Sequence, residues 1–279
     1  MVKETTCETL IDAWKNIIEH HINSPGTYWM GPRSLNRDGH VITISCPSQG
    51  FKSVLPEFNN TPLLDYLGFN EEAKQSHLYN SYVAPLEFRL HEIAENIGSR
   101  PNRSQSPDNI LYFPDVKENA CIQSIVFLTR MKGRKDYELD MEVSFRIVDS
   151  VRRFAADCWM IDNLFAYMLT ALNGKLDPGR IRLWMPHTWI SQYFVPTALH
   201  CMHQLNIPID KTSPIFSKNP LFDNPRYRNP AHLELKMAWV YRAIEGFHAM
   251  RFIHGLPEIT DYNWENIRKD PHDYFHYYI

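Results

Sequence analysis

The chain has 279 residues, 44% of them apolar, 22% charged and 13% aromatic, with a formal net charge of -3. That much apolar material can bury a full core, and the near-balanced charge excludes both a polybasic nucleic-acid binder and an acidic disordered tail. No run of about 18 apolar residues occurs, which excludes a membrane-crossing helix and leaves no membrane partner to expect.

The start, "MVKETTCETLIDAWKNIIEHH", is charged and amphipathic and lacks the apolar centre of a secretory signal. Its apolar positions Leu10, Ile11, Trp14, Ile17 and Ile18 have helical spacing. "SPGTYWMGPRSLNRDG" follows as a loop punctuated by Pro and Gly, with Arg33 and Arg37. "HVITISCP" alternates and is rich in β-branched residues, which predicts a strand. Residues 51–81 read as loop and short helix, and "APLEFRLHEIAENIG" as a helix ended by Gly98. A polar loop carrying Arg100 and Arg103 leads to two strands, "ACIQSIVFLTR" and "YELDMEVSFRIVD", joined by the basic turn "MKGRKD".

From about Ser150 to Leu172 the pattern becomes a long helix, with Phe154, Cys158, Ile161, Phe165 and Met168 repeating every three or four residues and Gly174 stopping it. A strand "GRIRLWMPHTW" and a helix "FVPTALHCMHQL" come next, before a Pro- and Tyr-rich tail from about Ile207. There is no repeat, no low-complexity block and no Gly-rich phosphate loop. These elements predict an α+β fold, a single domain over 1–279 with a mixed sheet and helices packed on one side of it.

Five cysteines (Cys7, Cys46, Cys121, Cys158 and Cys201) form no CxxC pair and no even framework. They read as reduced thiols, which predicts a cytoplasmic protein. Cys158 has the pattern of a core residue. Cys121 is open to two readings from its sequence alone, a buried strand residue or a reactive thiol, and Cys46 before a proline is its rival. "HCMH" puts His200 and His203 on one helical face, but no further ligand stands at metal-site spacing, so no metal is expected.

The order of parts around the hairpin and long helix resembles the thymidylate synthase superfamily, most clearly over about residues 110–200. In that family a nucleophilic Cys opens one strand, the next arm ends in Arg-Ser-x-Asp, and a buried helix carries the Asn that reads the pyrimidine. Here Cys121 opens the first strand, and "FRIVD" supplies Arg146 and Asp149. The base-reading position falls on Asp157. An Asp there marks the cytidylate branch, the 5-hydroxymethylases of CMP or dCMP. The chain departs from the family in having "NACIQ" for Pro-Cys-His, "RIVD" for Arg-Ser-x-Asp and "MPHTWIS" for the segment that holds the sugar.

The resemblance implies a set of roles. Cys121 would add to C6 of the base and make C5 electron-rich, splitting one hard step into two. Arg146 would bind the phosphate in bidentate fashion and favour the thiolate. Arg33 matches the family's mobile phosphate Arg, and Arg100 and Arg103 stand where the family supplies arginines across a sheet-to-sheet homodimer. Glu57 matches its general acid/base and Tyr82 the Tyr near the nucleophile. His187 and Trp189 fall in the sugar-contact segment. Asp157 would accept from the cytosine amine and, when protonated, donate to N3, a form that burial favours. Its alternative is an Arg153–Asp157 pair at i,i+4, contributing about 0.2–0.5 kcal/mol.

The implied activity is 5-hydroxymethylation of CMP or dCMP, with 5,10-methylenetetrahydrofolate as cosubstrate. The alternatives are C5 methylation of a uridylate, a catalytically inactive nucleotide-binding homologue, and an unrelated cysteine hydrolase built on Cys121 and His187.

Overall fold

The computed structural model describes residues 3–23, 28–30, 33–36, 39–45, 47, 57–58, 61–62, 87–102, 109–113, 121–133, 136–151, 153–191, 198, 201–202 and 205–210. In chain order the elements are β1 (Lys3–Cys7), α1 (Leu10–Asn23), β2 (Tyr28–Met30), β3 (Arg33–Asn36), β4 (His40–Ile44), β5 (Glu57–Phe58) and β6 (Thr61–Pro62). They continue with α2 (Glu87–Ser99), β7 (Ile110–Tyr112), β8 (Ile122–Met131), β9 (Tyr137–Phe145), β10 (Val148–Asp149), α3 (Arg153–Ala171), β11 (Asp177–Met185) and β12 (Thr188–Ser191). The fold is α+β with a mixed sheet, as the sequence predicts.

The chain forms two compact units, 1–14 with 37–188 and 15–36 with 189–279. The first holds a six-stranded sheet in the order β1-β4-β11-β9-β8-β7. At its centre β11 runs parallel to β9, while β8 pairs antiparallel with β9 and β4 antiparallel with β11. Alternation gives the sheet two unlike faces. Ile42, Ile44, Ile125, Phe127, Leu139, Met141, Val143, Ile181 and Leu183 are all fully buried on one of them. On the other, Ser124, Val126, Glu142, Ser144 and Arg182 are half-buried, and Tyr112 and Trp184 are exposed.

Helix α3 anchors on the apolar face through Phe154, whose ring meets Phe145 edge to face at 5.8 Å. Helix α1 opens with a reciprocal cap: Thr9 Oγ1 accepts from the Asp12 amide at 3.2 Å, and Thr9 N donates to Asp12 Oδ2 at 3.2 Å. Helix α3 closes through two left-handed residues, Asn173 (φ 51°) and Gly174 (φ 72°). In the second unit, β2 and β3 form a hairpin, and the Asn23 side chain ties down 208–210. Its Nδ2 donates to Pro208 O at 2.9 Å, and its Oδ1 accepts from Asp210 N at 2.9 Å.

The structure adds strands absent from the sequence expectation: β1, β7, the β2–β3 hairpin, and the short β5–β6 pair within 51–81, a span expected as loop and short helix. β1 is short and polar and follows β4 in parallel, so it lacks the alternation of a half-buried strand. The predicted strand through 179–189 is divided at Pro186, whose missing N–H cannot serve a ladder. The long helix begins at Arg153 rather than Ser150, because Val148 and Asp149 remain extended as β10.

One end of the sheet is closed by charge. Asp140, buried at the start of β9, accepts from Arg130 Nε at 2.9 Å and from the Arg180 amide at 2.9 Å. Glu138 pairs with Arg130 and with Lys132 at 3.1 Å. The register of β11 slips between Pro178 and Ile181, and Gly179 lies at that bulge. A Cβ on Gly179 would collide with Asp140 Oδ1 and lie 2.6 Å from the Leu139 carbonyl oxygen.

Gly179→Ala is therefore expected to cost about 3 kcal/mol, the upper range for forced overpacking. Gly174→Ala meets open space and is expected to cost only about 1 kcal/mol, from its left-handed backbone. Urea denaturation of both variants measures the two effects, and equal losses would contradict the steric account.

Candidate functional site

Strand direction brings the candidate residues to the other end of the sheet. Because β9 and β11 are parallel, their C-terminal ends leave the sheet together, as Phe145–Arg146 and Met185–Pro186–His187. The antiparallel β8 starts at that same end, with Cys121 just before it. A register shift between Ile122 and Ser124 leaves Gln123 as an extra residue, with Ile122 opposite Phe145. The ladder then closes on the next pair, where Arg146 N donates to the Cys121 carbonyl at 2.7 Å. Cys121 and Arg146 are thus cross-strand neighbours, 25 positions apart by number.

Two further segments join them. Val148 N donates to the His187 carbonyl at 2.9 Å, which places the 186–188 segment beside the chain that runs from Arg146 to Asp149. Met185 pairs with His40 at the start of β4, so a buried His stands at the same end. The sequence marked His40 only as the first residue of a strand, and no local signal distinguishes it. Register alone finds it.

Burial separates the candidates by kind. Cys121 is buried, Arg146 and His187 are exposed, and Asp149 and Asp157 are each only 3% exposed. Asp157 lies on α3 one turn after Phe154, the residue that packs on Phe145. It therefore shares the buried first turns of the helix that leaves the site end of the sheet. Arg100 is exposed just after α2, its amide donating to the Asn96 carbonyl at 3.1 Å. Trp189 is half-buried and belongs to the second unit.

Arg33 opens β3 and Glu57 opens β5, described as backbone positions. Tyr82, Arg103, Cys46, Arg37, His200 and His203 lie outside the described residues. Cys121, Arg146, Asp149 and His187 are brought together through the backbone. Among the described residues no backbone hydrogen bond outside the strands and helices joins Arg100 to them.

The other thiols have plain structural settings. Cys158 and Cys201 are fully buried, and burial pushes both thiols up, Cys158 further helped by the carboxylates of Asp157 and Asp162. Among the described residues no group of three or more His, Cys, Asp and Glu side chains could hold a metal ion, and no helix is long and apolar enough to cross a membrane. Compared with models of known protein families and with curated proteins, the chain matches none.

Cys7 gives a pH-dependent prediction. Burial, then the charge of Asp12, raises its thiol from 9.0 to about 11. The folded state keeps the thiol neutral while the unfolded thiol ionises near 9.0, so this contribution to stability is complete below pH 9 and is lost as pH rises toward 11. Alkylation by iodoacetamide, read site by site by mass spectrometry, is expected to reach half-rate at Cys7 near pH 11. Cys158 and Cys201 are expected to react only on unfolding. A Cys7 midpoint near pH 9 would contradict the burial account.

Proposed function

We propose that the chain is a folate-dependent cytidylate 5-hydroxymethylase with a thymidylate-synthase-like fold. The observation that carries this reading is the pairing of Cys121 with Arg146 across the β8–β9 ladder, with Asp149 and His187 on the adjoining backbone. A nucleophilic thiol needs a nearby cation to favour its ionised form, and a nucleotide phosphate needs a guanidinium fork. One exposed Arg opposite one buried Cys serves both needs. Asp157, buried on the helix that follows the motif, supports the choice of base. A carboxyl accepts from the exocyclic amine of cytosine, where uracil presents a carbonyl.

In this reading Cys121 adds to C6, and C5 becomes the nucleophile. Methylenetetrahydrofolate supplies the one-carbon unit, which bonds to C5. Departure of the C5 proton and of tetrahydrofolate leaves an exocyclic methylene on the pyrimidine. Water adds to that carbon, the Cys121–C6 bond breaks, and the hydroxymethyl nucleotide leaves. The sum is cytidylate, methylenetetrahydrofolate and water going to hydroxymethylcytidylate and tetrahydrofolate, with no redox change.

Tritium release from [5-³H]-CMP and [5-³H]-dCMP, with formaldehyde and tetrahydrofolate present, tests the reading. Release is expected from a cytidylate and is expected to vanish in Cys121→Ala. Asp157→Asn is expected to move preference toward a uridylate. No release from either cytidylate, or wild-type preference for dUMP, would overturn the proposal.

The same reading includes a homodimer, with a second copy against the open face of the sheet. Tyr112 is 65% exposed there, and Trp184 is 38% exposed with the Arg182 guanidinium 4.7 Å over its ring. Exposed aromatics on a broad sheet face favour association, and a two-fold axis lets one patch serve both partners. Sedimentation is expected to show a dimer that Trp184→Glu weakens at least tenfold, about 1.4 kcal/mol. An unchanged association state in that variant would remove this face from the proposal.

A further inference from the structure

The junction between β10 and α3 is short, and four of its described residues are buried. Asp149 is 3% exposed, and Ser150, Val151 and Phe154 are fully buried. On one side of this junction stand Arg146 and Asp149, and six residues beyond Val151 stands Asp157. The junction therefore fixes how far the strand-end motif lies from the helical carboxylate.

The junction is gripped at two places. Phe154 meets Phe145 edge to face, which holds the first turn of α3 to the end of β9. Trp14 of α1, itself fully buried, donates its indole Nε1–H to the Val151 carbonyl at 3.3 Å, across 137 positions of sequence. Val151 precedes the helix, so its carbonyl lies outside the α3 ladder. A buried carbonyl is costly to leave without a donor, and the indole supplies one. The ring of Trp14 belongs to the core, whereas the N–H is a separate polar handle with a defined target.

We infer that Trp14 is a positioning residue: its indole N–H sets the spacing between the Arg146–Asp149 strand end and Asp157. The consequence for nucleotide binding rests on the proposed function, in which these groups hold the phosphate side and the base of one ligand. A loosened junction then weakens binding of the whole nucleotide and leaves the chemistry at Cys121 largely untouched.

The test uses the full chain with Trp14→Phe, which keeps an aromatic ring and removes the donor. Ile11→Val on the same helix, a buried position without a hydrogen-bonding role, serves as control. Hydrogen exchange is expected to quicken in Trp14→Phe over 149–157 on the order of tenfold relative to the rest of the sheet, and not to do so in Ile11→Val. KM for the cytidylate is expected to rise about tenfold, with kcat within about twofold. Exchange that is unchanged, or that quickens uniformly through the chain, would overturn the inference. So would local loosening with KM unchanged in an active enzyme. Local loosening in a protein that neither binds nor turns over any cytidylate would uphold the spacing role of Trp14 and remove the proposed function instead.

Discussion

The arrangement of the first unit depends on one constraint, the parallel pairing of β9 with β11 at the centre of its sheet. Two parallel strands send their C-terminal ends the same way, so whatever follows each must share one edge. Arg146 and Asp149 follow β9, and His187 follows β11. Antiparallel partners on either side then add the starts of β8 and β4, with Cys121 and His40. Chemistry-bearing residues scattered from position 40 to position 187 are gathered by strand direction, with no single contiguous motif required.

Much of this is legible in the sequence, and the rest is hidden for definite reasons. Long elements with strong periodicity are readable: α1 from Leu10, Trp14, Ile17 and Ile18, the β8–β9 hairpin from alternation, and α3 from its three-to-four repeat. β1 and β7 are hidden because a short edge strand such as "KETTC" buries little and carries no pattern. The division of the long strand at Pro186 was written in the proline itself.

For the site, residue order suggested that Cys121 and Arg146 act together, but their pairing depends on the extra residue at Gln123. A bulge leaves no reliable trace in composition, since its extra residue can be almost any type. The burial of Asp157 follows from the helical repeat, because Phe154, Cys158 and Ile161 surround it on the same helix. The roles of Arg33 and Glu57 rest on resemblance alone, and the structure adds only their positions at the starts of β3 and β5.

The opposite end of the sheet has a different character. Asp140, Glu138, Arg130, Lys132 and Arg180 share their charges in one connected group, and Gly179 gives Asp140 the room to reach the Arg180 amide. Within this group the carboxylates of Asp140 and Glu138 are nearly buried while Arg130, Lys132 and Arg180 stay largely exposed, so removing a cation leaves a poorly solvated carboxylate, whereas removing a carboxylate returns its cation to water. The two ends of the sheet therefore differ in kind: one is closed by paired charges that hold each other in place, and the other gathers the strand ends that carry Cys121, Arg146 and His187.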